Sequence, residues 1–217
     1  MNTEEIPLFP LNTVLFPGMP LQLHIFEDRY KEMIQKCLTQ ELDFGVILHQ
    51  DSKLSDVGCT AKIKQIIRQY DNGESEILTE GQRRFRIRKI LRKEVFLEAS
   101  VEYFDDDNED LPAEFLQKVV TTYQKLISLQ TRGVGSIRGI FDPVNFSFII
   151  ASTLDIIPQE RQILLELTST YERIKRLETA LLKSMNELNK EEEIRNLASQ
   201  NGHSKNKANG IEPTQGT

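Results

Sequence analysis

The feature that most constrains this chain is an apolar segment broken by prolines, residues 6–20. It carries Pro7, Pro10, Pro17 and Pro20 among large apolar side chains. Proline removes a backbone donor and fixes φ, so it is tolerated at sheet edges, strand starts and bulges and disfavoured in central strands. The segment therefore predicts short buried strands that bend around a barrel corner, with Gly18 supplying a positive φ at the turn.

The rest of the first half shows mainly the period of β-strands. Leu21, Leu23 and Ile25 alternate with polar residues, and a compact apolar strand follows at 44–48. Between them, residues 30–38 repeat at helical spacing after Asp28, which predicts one short helix. Asn72-Gly73 predicts a hairpin turn, and Gly81 predicts a bulge or a close backbone approach.

Two strands after Gly81 suggest their own register. Phe85 and Ile87 alternate with arginines, and residues 95–103 alternate in the same way. Matching the apolar faces in a hairpin predicts Phe85 opposite Val101 and Ile87 opposite Ala99. The same register places glutamates beside the arginines, as the pairs Arg88–Glu98 and Arg84–Glu102.

The second half shows helical periodicity after the acidic break at 105–110. Asp142-Pro143 predicts a helix start, and Ser169 with Glu172 predicts a capping box before a long helix. Residues 133–139 are read as a flexible connector. We expect a β subdomain at 1–108 with one short helix, a helical subdomain at 109–190 and a disordered tail at 191–217, since the tail is too polar to offset its ordering entropy.

Composition excludes several classes of protein. The 217 residues carry a formal net charge of −6, which disfavours nucleic acid as a partner outside a concentrated basic patch. No secretory signal or apolar run long enough for a membrane span is present. Cys37 and Cys59 are too few for a disulfide framework or a four-thiolate zinc site. We therefore expect a cytoplasmic protein with free thiols and no membrane association.

Three blocks of sequence, in order, resemble the substrate-binding N-terminal domain of Lon proteases. The blocks are PLFPL (7–11) through LFPGMPL (15–21) to IFEDRY (25–30), then VGCTAKI (57–63) with EGQRRFRI (80–87), then FSFIIAS (146–152), PQERQILLE (158–166) and YERI (171–174). The resemblance implies an α+β fold, a PUA-like six-stranded β pseudobarrel followed by a C-terminal α-helical bundle. It also implies binding of unfolded or partly folded polypeptide in protein quality control.

The resemblance stops at the binding domain. No phosphate-binding loop of the Gly-x-x-x-x-Gly-Lys-Ser/Thr type is present, and the chain has no room for a Ser–Lys proteolytic domain. We expect a stand-alone, non-catalytic module without cofactor or metal. Its expected partners are polypeptide segments or client proteins, with a protease or chaperone acting beside it.

Two surfaces are candidates for binding. The first is an apolar groove where the barrel meets the helices, which would capture polypeptide. Its residues are Leu8, Phe9, Leu15, Phe16, Met19 and Phe146. Each of these residues could instead pack in the core. The alternative is RNA binding through a strand face carrying Arg84, Arg86 and Arg88, against an ion-paired surface as the plainer interpretation. Cys37 lies on the apolar stripe of its helix, which favours packing over nucleophilic catalysis.

Overall fold

The computed structural model describes residues 3–92, 95–131 and 142–205. The elements of the first half are β1 (Glu4–Leu11), β2 (Pro20–Ile25), α1 (Asp28–Gln40), β3 (Phe44–Gln50), β4 (Lys53–Gln69), β5 (Ser75–Arg92) and β6 (Leu97–Tyr103). Those of the second half are α2 (Ala113–Gln130), α3 (Pro143–Thr153), α4 (Pro158–Glu166) and α5 (Thr170–Lys205). The connector predicted at 133–139 lies outside the described residues.

The six strands form one sheet, in the order β2-β5-β4-β3-β1-β6, and an additional pairing of β5 with β6 closes five of them into a ring. Only β1 and β3 run parallel; every other pair is antiparallel. The second half of the 18-residue β5 pairs with β6, while its first residues pair with β2, which lies outside the closed ring. The predicted α+β pseudobarrel is confirmed.

The predicted pairing of β5 with β6 has the correct faces but the wrong register. Phe85 lies opposite Tyr103 and Ile87 opposite Val101, two residues from the predicted alignment. A two-residue slip preserves side-chain parity, so the pattern of apolar residues alone cannot separate the two registers. A bulge between Ile87 and Lys89 then brings Ile90 opposite Ala99.

The two glycines have the roles predicted for them. Gly18 has φ +73° and ends the apolar segment in a turn. A Cβ on Gly81 would lie 2.2 Å from the carbonyl oxygen of Phe16, so only glycine allows this approach of β5 to the turn. Gly18 N donates to Gly81 O at 2.9 Å, and Gly81 N donates to Met19 O at 2.9 Å, which fixes the turn against the ring.

The helices begin where the sequence predicts. The carboxylate of Asp142 accepts a hydrogen bond from Asn145 N at 2.9 Å, with Pro143 in the first turn of α3. The hydroxyl of Ser169 accepts from Glu172 N at 3.1 Å at the start of α5. That helix is a correction to the tail prediction, because its backbone stays helical from residue 191 to Lys205. Residues in this stretch such as Glu191 and Leu197 have good helix propensity, and 206–217 lie outside the described residues.

One hydrophobic core runs from the ring into the helices. Its main cluster contains Phe16, Phe44 and Ile77 of the first half together with Phe146 and Leu177 of the second half. A smaller cluster fills the other part of the ring, made of Ile6, Leu8, Ile47, Phe85, Ala99 and Val101. The helices therefore pack directly on the ring.

A buried charge cluster lies at the same junction. Asp106 accepts hydrogen bonds from the guanidinium groups of Arg84 on β5 and Arg173 on α5, and from the Thr170 hydroxyl. The side chains of Arg84 and Asp106 are 3% exposed and that of Arg173 is 0% exposed. Arg84 also donates to Leu165 O at 3.0 Å and Arg173 to Leu167 O at 2.7 Å.

Replacing Asp106 by alanine should lower the free energy of unfolding by about 3–5 kcal/mol, because two buried guanidinium groups would lose their shared carboxylate. Asp105→Ala is the matched control, since Asp105 is exposed and its loss should cost less than about 1 kcal/mol. Urea denaturation followed by circular dichroism measures both changes. Equal stability of the two variants would contradict the role given to Asp106.

Candidate functional site

Five of the six side chains predicted to bind polypeptide lie in the core. Leu8, Phe9, Leu15, Phe16 and Phe146 are each 5% exposed or less. Phe16 stacks on Phe148 at 5.8 Å, and Phe146 packs edge-on against Tyr123 at 5.6 Å. These residues fill the space where the helices meet the ring, so core packing is their role and the predicted groove is occupied by them.

Met19 is the exception, because it remains half-buried at the surface. It follows the Gly18 turn and immediately precedes β2. Its sulfur accepts a contact from Nη2 of Arg161 at 3.5 Å, and the Arg161 guanidinium lies 4.9 Å from the ring centre of Phe16. Nη1 of Arg161 donates to Ala151 O at 3.2 Å, at the end of α3. The turn before β2, α3 and α4 therefore meet at this arginine.

Arg161 is an unusual surface cation. No carboxylate of the described residues lies within 4.0 Å of it, and its Nε has no hydrogen-bond partner among those residues. Burial lowers the pKa of its guanidinium. A guanidinium carries five donors, and those of Arg161 are only partly used. The unpaired Nε is buried, so a bound molecule could accept hydrogen bonds only from the remaining N–H groups of Nη1 and Nη2.

Two further apolar residues lie close in sequence to the residues of this contact. Ile157 precedes α4 by one residue and is 61% exposed, and its carbonyl accepts from Arg161 N at 3.0 Å. Leu21, the second residue of β2, is half-buried. We call Met19, Leu21, Ile157 and Arg161 the Met19 surface. It combines accessible apolar area with a guanidinium that has no carboxylate partner among the described residues, a combination that an unfolded chain can use.

The arginine face predicted on β5 does not exist as a continuous surface. Arg84 is buried in the charge cluster because the helices dock on this part of the strand, and burial lowers the pKa of its guanidinium while Asp106 opposes that shift. Arg88 forms an ion pair with Glu102, its Nε lying 2.6 Å from the carboxylate. Arg86 is exposed and lies 5.5 Å from the ring centre of Phe104. Glu98, the predicted partner of Arg88, instead accepts from Lys36 at 2.7 Å.

The depression at the junction of ring and helices has a mixed lining of polar and apolar groups. It has a volume of about 440 Å³ and is lined by residues of β5, the acidic segment after β6 and α3, among them Arg84, Asp106 and Phe148. Arg84 and Asp106 of the charge cluster line it and are already paired with each other. None of the six residues predicted to form the apolar groove lines this depression.

The described residues show no arrangement suited to metal binding. No group of three or more histidine, cysteine or acidic side chains among them is placed to hold a metal ion. His24 pairs with Glu74 at 3.2 Å and stacks on Phe26 at 5.8 Å. Within the described part of the chain, no helix is both long and apolar enough to cross a bilayer.

Sequence reasoning missed Arg161 and Ile157, and both carried a weak signal. Arg161 occurs in the fourth position of the Pro158–Glu166 helix, close to apolar residues that the helix buries. Ile157 directly precedes the proline that opens that helix, so it occupies the N-cap position just outside the helix. Neither signal shows that the turn before β2 packs against α4. The contact between Met19 and Arg161 that results from this packing defines the Met19 surface.

Comparison with known sequences identifies one family. Residues 5–183 match the family described as the ATP-dependent protease La (LON) substrate-binding domain. Lon protease 2 of Herpetosiphon aurantiacus is 29% identical over 210 residues, covering 90% of this chain and 26% of that protein. Lon protease of Clostridium acetobutylicum is 29% identical over 199 residues, covering 83% of this chain and 25% of that protein. The chain thus spans about a quarter of the length of these relatives.

Solved structures agree on the fold. A Lon N-terminal domain protein from Xanthomonas campestris has a TM-score of 0.66 and 24% identity, covering 80% of this chain and 96% of that one. The N-terminal domain of the Mycobacterium avium complex Lon protease has a TM-score of 0.63 and 19% identity, covering 82% of this chain and 98% of that one. Both likenesses support the arrangement of pseudobarrel and helices.

The two cysteines should be inert in the folded protein. Burial raises the pKa of Cys37 to about 11 and that of Cys59 to about 12, so both stay protonated thiols at pH 8. Only the thiolate attacks a disulfide reagent. Ellman's reagent should therefore react with both thiols in urea and with neither at a comparable rate in buffer. Rapid modification of Cys37 in the folded chain would reopen a nucleophilic role for it.

Proposed function

Because this chain belongs to the family of LON substrate-binding domains, we propose that it is a non-catalytic module that binds unfolded or partly folded polypeptide in protein quality control. The region of similarity corresponds to a binding domain, and the Lon proteases it matches extend well beyond that region. A protease or chaperone partner would act on what the module captures. We place it in the cytoplasm, where its two free thiols would stay reduced.

The observation that carries this proposal is the Met19 surface. Unfolded chains differ from folded ones in displaying apolar side chains next to unpaired backbone carbonyls. Ile157 and Met19 offer apolar contact area, and the Nη1 and Nη2 groups of Arg161 have no carboxylate partner among the described residues. One site therefore meets both features of an unfolded segment without requiring a particular sequence.

The magnitudes fit transient capture. Burying ~400 Å² of apolar area gives ~10 kcal/mol of gross stabilisation, and association and ordering cost several kcal/mol of it. The remainder, at most about 6 kcal/mol, corresponds to a dissociation constant of tens of micromolar or weaker. Such an affinity suits a module that must release its client to a partner.

RNA binding is the alternative that the sequence left open, and no observation favours it. Arg84 is removed from the surface, Arg88 is paired with Glu102, and the chain carries a net charge of −6. Arg86 alone does not form the basic stripe that phosphate binding needs.

Binding should be saturable when a denatured reporter protein is titrated into the purified chain, and the chain should suppress aggregation of that reporter. Ile157→Asp should weaken binding by about tenfold or more, because it removes apolar contact and places a charge next to the client. Fluorescence anisotropy of the labelled reporter measures the affinity, and light scattering measures the aggregation.

Ile194→Asp is the matched control. Ile194 is an isoleucine of similar exposure, 67% against 61%, and it lies on α5, a helix that contributes no residue to the Met19 surface. Its replacement should leave the affinity within about twofold of the wild-type value. Equal losses in the two variants would show that the Met19 surface is not the binding site, and absence of saturable binding to the wild-type chain would overturn the proposed function.

A further inference from the structure

We propose that the free edge of β2 is a strand-addition site, where an extended and uncharged segment of a client polypeptide pairs with the backbone of Pro20–Ile25. This inference rests on the proposed function and specifies the surface and the mode of binding. Three observations carry it: the state of the β2 backbone, its contrast with the other open edge of the same sheet, and the side chains at its two ends.

The backbone of β2 is paired on one side only. Its six residues align with Ser75–Glu80 of β5 in unbroken antiparallel register, from Pro20 opposite Glu80 to Ile25 opposite Ser75. Among the described residues, no backbone group of β2 hydrogen-bonds to any element other than β5. In an antiparallel strand, alternate residues direct their N–H and C=O groups to opposite edges. The edge of β2 away from β5 therefore presents regularly spaced groups for another strand.

The second half of β4 shows how this sheet protects an open edge. Beyond Ala61, β4 has no described strand partner except β5, and its register with β5 shifts between Ile63 and Gln65 and again between Ile66 and Arg68. Lys62, Lys64 and Arg68 also lie along it. Bulges and positive charges are the devices that keep edge strands from pairing with other chains.

β2 carries neither device. Its register is continuous, and its sequence PLQLHI contains no lysine, arginine, aspartate or glutamate. Proline 20 blocks one donor at its first position only. An uncharged segment can therefore pair along the strand without bringing like charges together or leaving a charge desolvated, whereas the β4 edge opposes such pairing.

Side chains at both ends of β2 extend the site. The Met19 surface adjoins its first residue, so a client held there continues directly onto the strand. At the other end, Phe26 is 58% exposed and stacks on His24 at 5.8 Å. Gln22, His24 and Phe26 share one face by strand alternation. The stacked rings of His24 and Phe26 can therefore contact alternate side chains of the added strand. Main-chain pairing would supply affinity without dependence on client sequence.

A synthetic peptide tests the backbone pairing directly. The probe is a blocked, dye-labelled peptide of about eight residues, alternating valine and threonine, which matches six strand residues with one more at each end. Two further versions carry N-methyl groups on the even-numbered or on the odd-numbered amides. Since only one edge of the peptide can face β2, one methylated version should bind about tenfold or more weakly and the other about as well as the parent.

A pair of variants locates the site. Gln22 on β2 and Gln65 on β4 both lie opposite Leu78 of β5, one on each side of it, and both are exposed. Gln22→Lys should weaken binding of the parent peptide about fivefold, while Gln65→Lys should leave it unchanged. Hydrogen exchange of the wild-type chain should slow within Pro20–Ile25 when the peptide binds.

The outcomes separate this inference from the proposed function. If the denatured reporter binds but both methylated peptides bind equally, strand addition is overturned while polypeptide binding stands. Loss of reporter binding altogether overturns both. Equal effects of Gln22→Lys and Gln65→Lys overturn the assignment to β2. If analytical ultracentrifugation shows a dimer that only Gln22→Lys dissociates, the occupant of the edge is a second copy of this chain, which also overturns the proposal.

Discussion

The arrangement of this molecule depends on one carboxylate shared by two buried guanidinium groups. Asp106 connects Arg84 of β5 to Arg173 of α5. Moving the helices off the ring would therefore break this shared pairing of the two arginines. The cluster holds more positive than negative charge. Carbonyl oxygens of Leu165 and Leu167 and the rings of Phe104 and Phe148 surround the arginines and disperse that excess.

The packing of the helices on the ring also determines which surfaces stay exposed for binding. The helices bury Arg84, so the arginines of β5 do not form a continuous exposed stripe. This packing also brings α4 against the turn before β2, where Arg161 covers Phe16 and reaches the sulfur of Met19. The Met19 surface thus lies on the outer margin of the junction whose interior the charge cluster and the aromatic core occupy.

Local sequence rules recover the elements well because their causes are local. The cap at Asp142 and the close approach at Gly81 each follow from a few neighbouring residues. The site follows from contacts between distant segments. Alternation on β5 cannot show that helices cover Arg84 and leave Arg86 exposed, because both have the same parity. Apolar character likewise cannot distinguish Phe16 in the core from Met19 at the surface.

Ring closure explains why an open edge exists beside this site. The second half of β5 pairs with β6 and closes the ring, which leaves its first half to pair with β2 outside the closed part. β2 therefore cannot find a second strand neighbour within this topology. A folded protein tolerates such an edge when it is short, and β2 has six residues beginning with proline. The shortness of β2 and its leading proline limit pairing between copies, while its remaining outward backbone groups have no partner on another described strand.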